Sequence, residues 1–114
     1  MPANILQERR RLKRYVFAER TVDGVCMCEL CGKRPATDLH EIINRAHVHS
    51  AHRQMLYVRE LVSALCNTCN TTVADTKRSR QRLMDKNRQR YGDAVDKAIA
   101  ALEKQTKGGI CVGV

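Results

Sequence analysis

Four of the six cysteines come in two matched pairs, Cys28-Glu29-Leu30-Cys31-Gly32 and Cys66-Asn67-Thr68-Cys69-Asn70. A C-x-x-C turn presents two sulfurs to one ion while nearby backbone amides stabilise the thiolate charge. Two such turns complete the tetrahedral four-sulfur shell that Zn²⁺ favours. Cys28, Cys31, Cys66 and Cys69 are therefore the predicted zinc ligands. The 34 residues between the pairs exceed the ~15–20 of the commonest ribbon spacing, so a sizeable substructure must fit between them. Cys26 would need the less usual C-x-C turn, and Cys111 stands in a Gly-rich tail, so neither is predicted to bind. A closed four-thiolate site has no open coordination position, and its zinc would fold the chain without activating water. Hydrolytic chemistry needs a second centre.

The elements that must hold these residues can be read from periodicity. Residues 4–18 place Ile5, Leu12, Tyr15 and Val16 at roughly helical spacing, with Arg9, Arg10, Arg11, Lys13 and Arg14 on the other faces, which predicts a strongly basic amphipathic helix. After the first cysteine pair, the alternation through Leu39, His40, Glu41 and Ile42 predicts a strand. Residues 44–58, with His47, His49 and His52, have no clean period and are expected to form a connecting excursion, the histidines being either phosphate or metal contacts or ordinary loop residues, with the latter preferred. A second apolar stretch then runs into the second cysteine pair, which is expected to start a helix over roughly residues 67–87. From Leu83 onward Tyr91, Val95, Ala98 and Leu102 recur every three or four residues, with a break expected at Gly92. This stripe reads either as a homodimer face or as packing onto the chain's own core. The resulting division is a basic helix over 1–22, a zinc-braced unit over 23–82, a helical segment over 83–106 and a fraying tail over 107–114.

The totals agree with a small metal-stapled domain. At 114 residues, with 4% aromatics and no Trp, the chain has little bulk for a large core. The formal net charge of +9 is the footprint of a nucleic-acid binder, with an acidic membrane surface as the rival. Thirteen of the 21 basic residues fall in two windows, 9–20 and 77–90. Arg9, Arg10, Arg11, Lys13, Arg14, Lys77, Arg78, Arg80 and Arg82 are the candidate phosphate contacts. With Phe17, Tyr15, Tyr57 and Tyr91 as the only aromatics, stacking on unpaired bases is poorly served, which favours duplex or branched DNA. No apolar run approaches the ~18 residues of a membrane span, and the N-terminus is too charged for a signal peptide, so a cytoplasmic location with reduced thiols is expected.

The order Cys-x-x-Cys, then Asp38-Leu39-His40-Glu41-Ile42-Ile43-Asn44-Arg45, then Leu65-Cys66-Asn67-Thr68-Cys69-Asn70 resembles the HNH, or His-Me finger, endonucleases over residues 28 to about 80. Within that family Val58-Arg59-Glu60-Leu61 and the Cys-x-x-Cys-Asn close are similar to the recombination endonuclease VII branch, and small phage HNH proteins match equally well, which would make the location a host cytoplasm. The resemblance implies a small α+β domain with a ββα-metal, treble-clef-like core. It also implies a catalytic Mg²⁺ or Mn²⁺ beside the structural zinc, and hydrolysis of DNA phosphodiester bonds.

The same resemblance implies the site residues. Asn70 matches the last metal-binding position. His40-Glu41-Ile42-Ile43 overlays the family's His-His-Ile-Ile pattern, making His40 a metal ligand and putting Glu41 in the place of the general base. In a second register His40 is itself the base, Leu39 occupies the carboxylate position and Asp38 is the residue left to compensate. The first register keeps Ile42, Ile43 and Arg45 where similar residues occur in the family, and requires a carboxylate whose pKa is raised toward neutrality. Glu60 or Leu61 falls where the family's middle Asn would brace the loop. If the site is degenerate, the chain would instead be a zinc-bound adaptor for DNA, RNA or a protein.

Overall fold

The computed structural model describes residues 3–44, 48 and 50–105. Helix α1 (Ala3–Glu19) forms where the sequence alternates apolar and basic positions at helical spacing. Its buried edge is Leu12 and Val16, one turn apart, packed with Phe17 against Leu39 and Val62. Tyr15, expected on that stripe, is 51% exposed. It sits about 100° around the helix from Val16, and its hydroxyl instead accepts from Arg59 Nη1 at 3.0 Å.

Strands β1 (Asp38–Glu41) and β2 (Val62–Leu65) form a two-stranded antiparallel sheet with Asp38 opposite Leu65 and His40 opposite Ser63. Strand side chains alternate faces, so Leu39 turns to α1 while Asp38 and His40 share the other face. All four residues of β2 are buried, as expected of a strand covered on both faces. The excursion between the strands includes 3₁₀ turns at Ser50–Leu56 and Arg59–Leu61. His47 and His49 lie outside the described residues.

Cys66 is the N-cap of helix α2 (Asn67–Thr72), so the second cysteine pair does open a helix. The helix predicted through residue 87 is two helices, because Thr76 caps a new one, α3 (Lys77–Tyr91), its Oγ1 accepting from Ser79 N at 3.1 Å. α3 ends on Gly92 at φ 62°, a conformation glycine adopts without strain. Helix α4 (Ala94–Gln105) follows. The 82/83 boundary therefore falls inside a continuous helix. Leu83, Met84, Val95, Ile99 and Leu102 belong to the same buried cluster as Cys28, Cys66 and Cys69, with Tyr91 and Ala98 packed against it. The stripe Tyr91, Val95, Ala98 and Leu102 thus packs onto the chain's own core. The tail beyond residue 105, with Cys111, lies outside the described residues.

One ion pair ties these pieces together. Arg20, just past α1, bonds Glu29 Oε2 at 2.7 Å, with both side chains almost wholly buried. Arg20 also donates to the carbonyls of Val62 and Arg59 and to the Tyr91 hydroxyl. Glu29 receives Arg90 at 2.6 Å, accepts from the amide of Ala64, and its carbonyl accepts from Lys86 Nζ at 2.6 Å. Burial opposes the Arg20 charge, but Glu29 and Tyr91 outweigh it and raise its pKa. Among the described residues no helix is long and apolar enough to cross a membrane.

Candidate functional site

The sulfurs of Cys28, Cys31, Cys66 and Cys69 all lie within 4.8 Å of one another. A tetrahedron with Zn–S bonds of about 2.3 Å has edges of about 3.8 Å, and Cys31 Sγ to Cys66 Sγ is 3.9 Å. Sequence distance is overcome by two turns. Gly32, at φ 64°, closes the first knuckle with its amide on the Cys28 carbonyl at 2.9 Å, while the first turn of α2 carries the second pair. Three donors already face the sulfurs: Lys33 N to Cys31, and Arg34 Nε and Cys69 N to Cys66, each at 3.4 Å. The Arg34 guanidinium is the main cause that brings Cys66 down to about 6, and the Lys33 amide lowers Cys31. Burial meanwhile pushes Cys69 up to about 12. Four sulfurs gathered this closely are positioned to bind a metal ion, and the donor set suits zinc. Cys26 is buried but stands outside the cluster, and burial raises its pKa.

Past the last zinc ligand, the chain brings a second set together. Asn70 follows Cys69 on α2, and its Nδ2 donates to Asp38 Oδ2 at 3.0 Å. Asn67 Nδ2 donates to the same oxygen at 3.1 Å and Thr37 Oγ1 to Asp38 Oδ1 at 3.0 Å. Burial works against the Asp38 charge, and these three hydrogen bonds outweigh it, holding the carboxylate below its usual range. His40, two residues on and on the same face, is 7% exposed, and its Nε2 has no hydrogen-bond partner. Burial is the main cause of its lowered pKa, so the ring is neutral at pH 7 with a nitrogen able to accept a proton or bind a cation. Ser63, directly across the sheet, is fully buried with an equally unpartnered Oγ.

Beside this set is a pocket of about 190 Å³ lined by His40, Glu41, Ile43, Asn44, Asp75 and Arg80. Glu41 Oε1 is buried without a hydrogen bond, and Arg9 Nε stands 3.8 Å from it. Arg9 also donates from Nη2 to the Leu39 carbonyl at 2.8 Å. Glu60 accepts from Arg59, and its carbonyl, with that of Val62, accepts from the buried Asn87 amide. Asn87 of α3 thus braces this loop.

The basic candidates fall into three groups. Arg10, Arg11, Arg14, Lys77, Arg78 and Arg82 are exposed. Arg9 and Lys13 are half-buried at the α1–β1 junction, Lys13 lying over the Phe17 ring. Arg80, predicted as an open phosphate contact, is 8% exposed and turned into the pocket. Sequence reasoning gave no role to Arg34, Asp75, Arg20 or Glu29. Glu29, a charged residue inside a C-x-x-C turn, was the one visible signal, since carboxylates are rarely buried unpaired. No known protein family, curated protein or solved structure matches the chain.

Proposed function

We propose that the chain is a divalent-metal-dependent DNA endonuclease of the HNH class, with β1, β2 and α2 serving as its ββα-metal core. The observation that carries this is the meeting of Asp38, His40 and Asn70, with Asn70 held 3.0 Å from Asp38 by its place next to a zinc cysteine. An anionic carboxylate, a neutral imidazole with an unpartnered nitrogen and an amide oxygen form a mixed oxygen and nitrogen donor set that fits Mg²⁺ or Mn²⁺. Such a cation would stabilise charge on the phosphate and the leaving 3′ oxygen. Glu41, in the same pocket, takes the proton of the attacking water. The exposed arginines of α1 and α3 hold the backbone of duplex or branched DNA. Zinc is the brace that fixes Asn70, and four reduced thiols suit a cytoplasm, that of a host cell if the chain is phage-encoded.

Zinc-loaded protein with Mg²⁺ or Mn²⁺ should cut plasmid, nicked or branched DNA, and Asn70→Ala should slow cutting by ~100-fold or more with zinc retained. No cleavage of any of the three overturns the reading. The second reading, a non-catalytic zinc adaptor for DNA, RNA or a protein, draws on Glu41 lying 3.8 Å from Arg9 and on Asp38 Oδ2 already accepting two amides. In that case His40→Ala and Asn70→Ala leave DNA affinity unchanged.

A further inference from the structure

Arg80 departs from its neighbours on α3. Lys77, Arg78 and Arg82 point to solvent, whereas Arg80 is more than nine-tenths buried. Its Nη2 reaches Asp75 Oδ1 at 2.9 Å, and its Nε has no acceptor among the described residues. A buried N–H donor without a partner is costly and rare in folded proteins. Asp75 is a weak explanation for the burial, because its own side chain is 75% exposed and an ion pair with one end in water contributes little. The guanidinium lines a pocket of about 190 Å³, large against the ~30 Å³ share of one liquid water. Among the described residues, the other charged groups facing it are Glu41, which has Arg9 near it, and Asp75, while His40 is neutral at pH 7.

We propose that this pocket binds a tetrahedral phosphate oxyanion, with Arg80 Nε and Nη as its ligands and Asp75 as the carboxylate it displaces. A guanidinium presents two parallel N–H groups to adjacent oxygens of one phosphate. The Nε–H that lacks an acceptor supplies one once the side chains that close it from solvent give way, and the Nη2–H held by Asp75 supplies the other. Asp75, at the solvent-facing mouth, leaves its partner at small cost and swings into water. The site requires no bond making or breaking. It deepens the proposed endonuclease reading by naming where a DNA phosphate would be gripped, but the binding itself rests on the pocket alone.

The test uses zinc-loaded, ¹⁵N-labelled full-length protein titrated with inorganic phosphate at constant ionic strength, without Mg²⁺ or DNA, following arginine Nε–Hε signals. The Arg80 signal, assigned by its loss in Arg80→Lys, should shift in a saturable way while those of Arg78 and Arg82 barely move. Asp75→Asn removes the competing carboxylate and should tighten phosphate binding by several-fold. Arg80→Lys should weaken it by about tenfold, the worth of a charged hydrogen bond, and Lys97→Ala, at an exposed lysine of α4, should leave it unchanged. Equal, unsaturated shifts at all three arginines, or unaltered affinity in Asp75→Asn, would overturn the site. Saturable binding in a protein that cuts no DNA would retire the endonuclease reading and leave this one standing. Cleavage without any response of Arg80 would do the reverse.

Discussion

The two clusters at the ends of β2 are built on opposite terms. Around the four cysteines the chain supplies everything a metal needs: four sulfurs, two amides and a guanidinium already pointing at them. Around His40 it withholds partners, leaving His40 Nε2, Ser63 Oγ and Arg80 Nε buried and unbonded. A saturated site contributes to folding, because everything it gains is lost on unfolding. A site with unspent donors and acceptors costs stability and is the kind of place where a ligand recovers that cost. The molecule thus separates the cluster positioned to bind a metal from the groups left without partners, and joins them through a single peptide bond, Cys69–Asn70.

The largest effect should come from breaking the saturated side. Cys66→Ala, or stripping metal with a chelator, removes a centre whose binding energy in small zinc modules is about 10–16 kcal/mol. Cooperative melting followed by circular dichroism should disappear, with one zinc per chain found by elemental analysis before treatment. A metal-free chain that melts as before would erase the distinction between the two clusters.

Next in size is Arg20→Ala. Removing one partner of a buried pair strands the other charge and costs about 3–5 kcal/mol, here with both side chains under 5% exposed. Urea unfolding of the zinc-loaded variant measures it, and a loss below about 1 kcal/mol would show that Glu29 is rescued by Arg90 alone.

A smaller effect belongs to the unsaturated side. Because burial lowers the His40 pKa, the folded chain binds fewer protons at this site than the unfolded one, whose histidine titrates near ~6.5. The associated stability is present above that pH and is lost as pH falls through the folded value. Comparing urea midpoints at several pH values, His40→Asn should show a shallower acid loss than the parent. Identical slopes would mean that zinc-thiolate protonation accounts for all of it. The smallest effect is expected at the surface: Arg78→Ala should reduce the slope of log affinity for DNA against log salt by about 1.

How much of this was legible beforehand follows the range of the signals. Cysteine pairs and the Leu12 and Val16 spacing are local patterns, and both lead to the observed elements. Gly92 marks a helix end through its own backbone freedom. What escaped notice depends on contacts far apart in the chain. Arg80 carries the same residue type as Arg78 and Arg82, and its burial follows from helical phase plus the placement of β1, which composition does not encode. The split between α2 and α3 hung on Thr76, a cap visible in sequence but overridden by the apparent continuity of the apolar pattern. Whether the residue opposite Arg9 works as a base is equally a matter of burial and partners, not of motif.

Glu29 lies between two zinc ligands, and its carboxylate is also the anion that the end of α1 and the end of α3 close upon. This dictates an order of assembly. Until the knuckle is shaped by metal, Arg20 and Arg90 have no fixed counter-ion to dock against, and the basic helix has lost its latch. A chain made in zinc-poor conditions would therefore expose α1 to proteases first.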